Sequence, residues 1–219
     1  MMLEIKDLFD LDKTIAASLF EGKTYPWEVL ADIKDYILRL GETLSSEEFD
    51  NPREGVWIAK DAKVFPSAYI GSPCIIDRGA EIRHCAFIRG SAIVGKGAVV
   101  GNSTELKNAV LFDEVQVPHY NYVGDSVLGY KAHMGAGSIT SNVKSDKTPI
   151  VIKDDTPIET GRKKIGAMLG DMVEVGCNSV LNPGTVVGRN SNIYPLSCVR
   201  GLVPADSIYK AKDDIVPKK

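Results

Sequence analysis

The chain has 219 residues and a net charge of −3, which excludes a general nucleic-acid binder, because such a protein needs many cations to neutralise phosphates. No apolar stretch approaches the roughly 20 residues that span a bilayer. The charged N-terminus MMLEIKDLFDLDK is not a secretory leader, so a cytoplasmic protein is expected. The four cysteines, Cys74, Cys85, Cys177 and Cys198, form no C-x-x-C pair and read as small apolar residues in a reduced compartment.

Residues 1–50 carry no repeat. Thr24-Tyr-Pro-Trp-Glu reads as a helix start, with Pro26 near the first helical position. Leu30, Ile33, Ile37, Leu40 and Leu44 then follow helical spacing. A solenoid must cover its open apolar end, so this segment is expected to be a helical N-terminal cap. A segment that docks a partner or covers substrate is the functional alternative.

From residue 51 the chain repeats. Ile58, Val64, Ile70, Ile76, Ile82, Ile88, Val94, Val100 and Leu106 lie six residues apart without a break. The residue four places after each is small in nearly every case: Ala62, Ala68, Cys74, Ala80, Ala86, Ala92, Ala98, Thr104 and Val110. Three such repeats make an 18-residue coil. The branched aliphatic points into a narrow triangular prism, and the small residue faces inward near a corner. Stacked at about 4.8 Å, the coils align like residues into ladders. An antiparallel sandwich would instead alternate with period two and turn through hairpins.

The series continues through Leu111, Val117 and Val123, then Leu128 and Met134, with five-residue steps at 106–111 and 123–128. Residues 141–165 break it as a polar inserted loop, and such insertions often form a binding face. Leu169, Val175, Leu181, Val187, Ile193 and Val199 resume it, for about seven coils in residues 51–209. Residues 210–219 form a basic tail with Lys210, Lys212, Lys218 and Lys219, either solvated or touching the phosphates of a cofactor. The predicted fold is thus an all-β solenoid, a parallel β-helix with an N-terminal helical cap.

The coil length converts spacing into neighbours. Arg89 and Lys107 are 18 residues apart, and each directly follows an inward aliphatic. They are expected on one face, roughly 5 Å apart at the backbone. Two like charges so placed repel, so an anion between them would help, and the pair reads as a phosphate cradle or as two solvated cations. His84, Asn102, His119 and Ala136 form a second ladder. A histidine near its unperturbed pKa suits a general base at neutral pH.

Between about Ile82 and Val199 the chain resembles the acetyltransferase half of the bacterial bifunctional glucosamine-1-phosphate acetyltransferase / N-acetylglucosamine-1-phosphate uridyltransferase family. The segments that carry the resemblance are Phe87-Ile-Arg89, Val100-Gly-Asn-Ser-Thr-Glu-Leu-Lys107, His119-Tyr-Asn-Tyr-Val-Gly-Asp125 and Met134-Gly-Ala-Gly-Ser-Ile-Thr-Ser-Asn142. Glu159-Thr-Gly-Arg-Lys-Lys-Ile-Gly-Ala looks like the related sugar-1-phosphate nucleotidyltransferases with a β-helix tail.

The resemblance implies a left-handed helix and a homotrimer with sites between subunits. It implies acetyl-CoA as co-substrate and a sugar phosphate or nucleotide sugar as acceptor. Arg89 and Lys107 would bind the phosphate, His119 would be the general base, and Tyr122 and Asn142 would contact phosphate or sugar. His133 stands where the family has a sugar-contacting asparagine. Ala136, Cys177 and Pro195 would line the acetyl-CoA groove, with Cys177 in place of a serine, Pro195 in place of an alanine and Val143 in place of a tyrosine. Glu105 is a candidate orienter of the imidazole, on proximity alone. About 50 residues ahead of the repeat cannot hold a nucleotidyltransferase domain, so no pyrophosphorylase activity is expected.

Two rival readings stand beside acyl transfer. A zinc carbonic anhydrase on this fold needs three histidines, but His84 and His119 are two coils apart, roughly 10 Å, so no metal site is expected. A trimeric sugar-phosphate scaffold or sensor would keep the cradle without the chemistry.

Overall fold

A computed structural model describes residues 3–154 and 156–218. Lys219, one of the four tail lysines, lies outside them. The repeats wind into a left-handed parallel β-helix with three sheet faces. The first face runs from Val56–Ala59 through Cys74–Ile76 and Ala92–Val94 to Leu202–Val203. The second runs from Lys63–Val64 through Val99–Asn102 and Gln116–His119 to Ser207–Ala211. The third runs from Tyr69–Ile70 through Phe87–Ile88 to Cys198–Val199.

Each inward aliphatic opposes its equivalent on the next coil. Ile88 opposes Leu106, Leu106 opposes Val123, and Val123 opposes Thr140. Ile82, Ile88, Leu106, Val123 and Leu181 are fully buried, as are the small corner residues Ala80, Ala92, Ala98 and Thr104.

There are eight coils, not seven. Thr140, Val203 and Tyr209 fill inward positions that the hydrophobic count passed over. Thr140 escapes an aliphatic search because it is polar. Its hydroxyl is satisfied inside the prism, accepting from the Gly124 N–H at 3.0 Å. Val203 follows Val199 after only four residues.

The five-residue steps have a structural meaning. At 106–111 and 123–128 the usual corner loop is absent. The strands Glu105–Leu111 and Tyr122–Leu128 instead run continuously from the third face onto the first. Asn108 (φ 51°) and Asp125 (φ 48°) make the bend. Asn and Asp tolerate the left-handed region that most residues avoid.

The N-terminal segment does not plug the end of the prism; it lies along the first face. The helix Ile33–Gly41 packs over the strands of that face. The reason is a column of outward apolar residues at coil spacing. Ile75, Ile93, Val110, Val127 and Met168 point away from the prism and are still fully buried. Phe9 and Phe20 close on Phe112 with ring centroids 5.1 and 5.6 Å away. Asp171 clips the same segment down, accepting from the Asp10 and Tyr130 N–H groups at 2.8 Å each. Burial pushes the Asp171 carboxyl up, and those two N–H donors oppose the shift.

The insertion covers the rest of this face. Its strands Val151–Ile152 and Ile158–Glu159 pair antiparallel, and Ile150, Ile152 and Ile165 are buried. Gly184 is needed beneath it, since a Cβ there would press on Ile150 and Ile152. The two sheet ends are closed by antiparallel strands. Phe49–Arg53 pairs with Val56–Ala59 at the near end, and Asp214–Pro217 pairs with Ser207–Ala211 at the far end. Among the described residues no helix is long and apolar enough to cross a membrane.

Phe112→Ala empties the centre of the aromatic triad that binds the N-terminal segment to the prism. It is expected to cost about 3–5 kcal/mol in chemical denaturation.

Candidate functional site

The second and third faces stay open, and the third carries most of the candidate site residues. Along its edge with the first face, residues from four coils converge. Arg89 Nη1 lies 2.8 Å from Glu105 Oε1. Lys107 Nζ lies 3.1 Å from both carboxylate oxygens of Asp125. Asn108 Nδ2 donates to Asp125 Oδ1 at 2.8 Å and to the Leu30 carbonyl at 3.1 Å. Asn142 Nδ2 reaches Asp125 Oδ2 at 2.6 Å and the Tyr122 hydroxyl at 3.1 Å.

The expected same-face placement of Arg89 and Lys107 holds, since the Arg89 N–H donates to the Leu106 carbonyl at 2.9 Å. Their expected electrostatics do not. Each cation has its own carboxylate, so the edge is a balanced cluster, not a bare cradle. Asp125 is its hub. Only 3% exposed, it gathers donors from Lys107, Asn108 and Asn142, and its backbone carbonyl takes the Gly166 N–H at 2.7 Å. The N-terminal segment, through Leu30, and the insertion, through Asn142, are thereby tied to the cluster. Tyr122 is half-buried here. Burial pushes its phenol up, and the charges of Asp125 and Glu105 push the same way.

Asp125 and Asn108 were missed in the sequence because they lie one residue outside the columns counted. Their signal was the five-residue step, which puts a turn-tolerant Asn or Asp at the bend. Glu105 was placed with the imidazole on chain proximity. Its carboxylate instead pairs with Arg89, because it precedes inward Leu106 and points out of the third face.

His119 sits at the opposite edge of that face. It opposes Asn102 in register, and the Asn102 side chain donates to the His84 carbonyl at 3.1 Å. The column continues through Ala136, Cys177 and Pro195: Gly137 N–H bonds the His119 carbonyl at 3.0 Å, Asn178 N–H that of Ala136 at 2.8 Å, and Leu196 N–H that of Cys177 at 2.9 Å. The residues expected along the donor groove thus share one corner with the candidate base. The His119 ring is exposed and has no hydrogen-bond partner among the described residues. Its backbone is held by Asn121, whose side chain accepts the His119 N–H at 3.1 Å and anchors inside the prism to the Gly135 carbonyl at 2.9 Å.

His119 and Gly124, at the two edges of the face, are five residues apart in the chain, with the corner at Tyr120 (φ 52°) between them. His133 does not join either group. It projects from the second face and pairs with Glu174 at 2.7 Å. Among the described residues no group of three or more His, Cys, Asp or Glu is arranged to hold a metal ion.

Residues 70–187 match the family model described as the GMPPB C-terminal domain. A bifunctional protein GlmU from Methanococcus maripaludis strain S2 is 30% identical over 198 residues, 89% of this chain and 48% of that protein. A bifunctional sugar-1-phosphate nucleotidylyltransferase/acetyltransferase from Sulfurisphaera tokodaii is 29% identical over 220 residues, 95% of this chain and 55% of that one. The chain therefore spans about half the length of the curated relatives it matches. The acetyltransferase domain of PglB from Neisseria gonorrhoeae, solved with acetyl coenzyme A, is similar at 15% identity and a TM-score of 0.35, over 90% of this chain and 80% of that one.

Asp125→Ala strands the Lys107 ammonium and two amides. Breaking a buried pair costs about 3–5 kcal/mol, and the partial exposure of Lys107 puts this one near 3 kcal/mol. Asp125→Asn, which keeps the tolerance for positive φ, is expected to lose less. Urea unfolding of both variants checks the order.

Proposed function

The chain belongs to the GMPPB C-terminal domain family, and on that premise we propose that it transfers an acetyl group from acetyl-CoA to an amine or hydroxyl of a sugar phosphate or nucleotide sugar. One observation carries this reading: Arg89, Lys107, Tyr122 and Asn142, scattered over 54 positions, meet in one cluster across the third face from His119. The name of the Sulfurisphaera tokodaii relative, which pairs sugar-1-phosphate chemistry with acetyl transfer, supports the same class.

In this mechanism the acceptor's phosphate lies against Arg89, whose guanidinium is the more exposed of the two cations. Tyr122 and Asn142 orient the adjoining sugar. The acceptor nitrogen or oxygen attacks the thioester carbonyl, a new C–N or C–O bond forms, and the C–S bond breaks. His119 takes the acceptor proton and passes it to the leaving thiolate. The small Ala136 beside it leaves space for the acetyl end, and Cys177 and Pro195 continue the donor's path down the same corner. Backbone N–H groups stabilise the oxyanion. Glu105 acts on Arg89, holding it over the face. We assign the working form to a homotrimer, in which a neighbouring copy supplies the second wall of an otherwise open face.

Acceptor-dependent thiol release with acetyl-CoA and a panel of amino and hydroxyl sugar phosphates tests the reaction. His119→Ala is expected to slow it about 10²–10⁴-fold, with an unchanged melting temperature because the ring packs against nothing. Unaltered turnover would remove His119 from the chemistry. Sugar-phosphate binding without any thiol release would favour a sensor instead. Arg89→Ala is expected to raise KM for the acceptor more than it lowers kcat.

A further inference from the structure

The outward column that contains Glu105 and Tyr122 continues past the acceptor cluster toward the near end of the prism. Phe87 opposes Glu105 in register, and Tyr69 opposes Phe87. Both rings face solvent, 55% exposed for Tyr69 and 42% for Phe87, with centroids 5.5 Å apart. Two large aromatic side chains stand side by side in water, their rings tilted 56° to each other, and form an exposed aromatic platform on an otherwise polar edge. The Arg53 guanidinium stands 5.6 Å from the Tyr69 ring. Unlike Arg89 and Lys107, Arg53 has no carboxylate partner among the described residues. An unneutralised cation and two solvent-facing aromatic rings therefore adjoin the edge assigned to the acceptor.

We infer that this platform receives the base of a nucleoside diphosphate, so that the acceptor is a nucleotide sugar and not a simple sugar 1-phosphate. The inference rests on the acceptor edge assigned under the proposed function. Two features of the face point this way. The first is distance. Tyr69 is one rung and two residues from Arg89, about 8 Å at strand spacings of 4.8 and 3.3 Å, which is the extent of one nucleoside between its base and its phosphate. The second is charge. A pyrophosphate brings more negative charge than the balanced cluster accommodates alone, and Arg53 supplies a cation on the platform side. A sugar 1-phosphate seated on Arg89 would leave Arg53, Tyr69 and Phe87 in solvent. Aromatic faces stack on any base, so the platform by itself favours nucleotides over bare phosphates without choosing among them.

Calorimetric titration of the full chain with UDP and GDP, against inorganic pyrophosphate as the phosphate-only probe, tests this. At least one nucleoside diphosphate is expected to bind about tenfold or more tightly than pyrophosphate, within the range that base–aromatic stacking supplies. The double variant Tyr69→Ala/Phe87→Ala is expected to lose that margin, keep its pyrophosphate affinity within about twofold and keep its melting temperature. Three results would overturn the inference: nucleoside diphosphates that bind no tighter than pyrophosphate, a margin that survives in the double variant, or a double variant that sediments as a smaller species, which would make the platform a contact between copies. Binding does not depend on turnover. A chain with the margin but no acyl transfer would sink the transferase reading alone. One that acetylates sugar 1-phosphates while ignoring nucleotides would sink only the inference.

Discussion

The register between successive coils is the constraint from which the rest follows. Each coil offers its neighbour a row of N–H and C=O groups and a row of inward aliphatics, and only one alignment satisfies both. Ile88 against Leu106 against Val123 against Thr140 is that alignment on the third face. A slip of one residue would turn Ile88 and Leu106 into water and drive Arg89 and Lys107 into the prism. Burying two unpaired cations costs far more than any local gain could return. The same hydrophobic pattern that builds the core thus holds the charged side chains on the outside and in line.

The corner chemistry depends on breaking that regularity twice. A full six-residue step places a loop between faces, as at Gly90 and Ser91. Removing one residue lets the strand bend without a loop, and the residue at the bend must accept positive φ. Asn108 and Asp125 meet that demand, and both are also hydrogen-bonding side chains. Stacked on adjacent coils, they give the edge an acceptor and a donor 2.8 Å apart. Backbone economy and site chemistry are served by the same two residues. That explains how a buried carboxylate persists here: it has Lys107 and two amide partners, which offset its loss of water.

Much of this was legible in the sequence because a solenoid repeats one short rule. Twenty inward positions could be counted by eye, and the columns containing Arg89, Lys107, His119 and Ala136 followed from the coil length. What escaped had a different period or a different residue type. Thr140 broke the aliphatic rule while obeying the geometric one. The outward apolar series of Ile75, Ile93, Val110 and Val127 recurs once per coil, so a search at the repeat length misses it. It is that series which draws the N-terminal helices along a face instead of over an end. The ion pairs were invisible for another reason. Glu105 and Asp125 meet their cations across coils, at separations of 16 and 18 residues, and chain proximity suggested a wrong partner for Glu105.

The distribution of cover decides where chemistry can occur. The first face is sealed by two separate segments: the N-terminal helices and the inserted hairpin both lay apolar side chains on it. Both also touch the Asp125 cluster, one through the Leu30 carbonyl and one through the Asn142 side chain. The sealed face therefore backs the edge that carries the Asp125 cluster. Motion of either cover would disturb the donors that hold Asp125. The third face has no such cover, and its open edges carry the imidazole on one side and the cation cluster on the other. A prism with one wall closed and one wall open presents these side chains outward. There, a substrate or a neighbouring copy reaches them without any part of the core having to open.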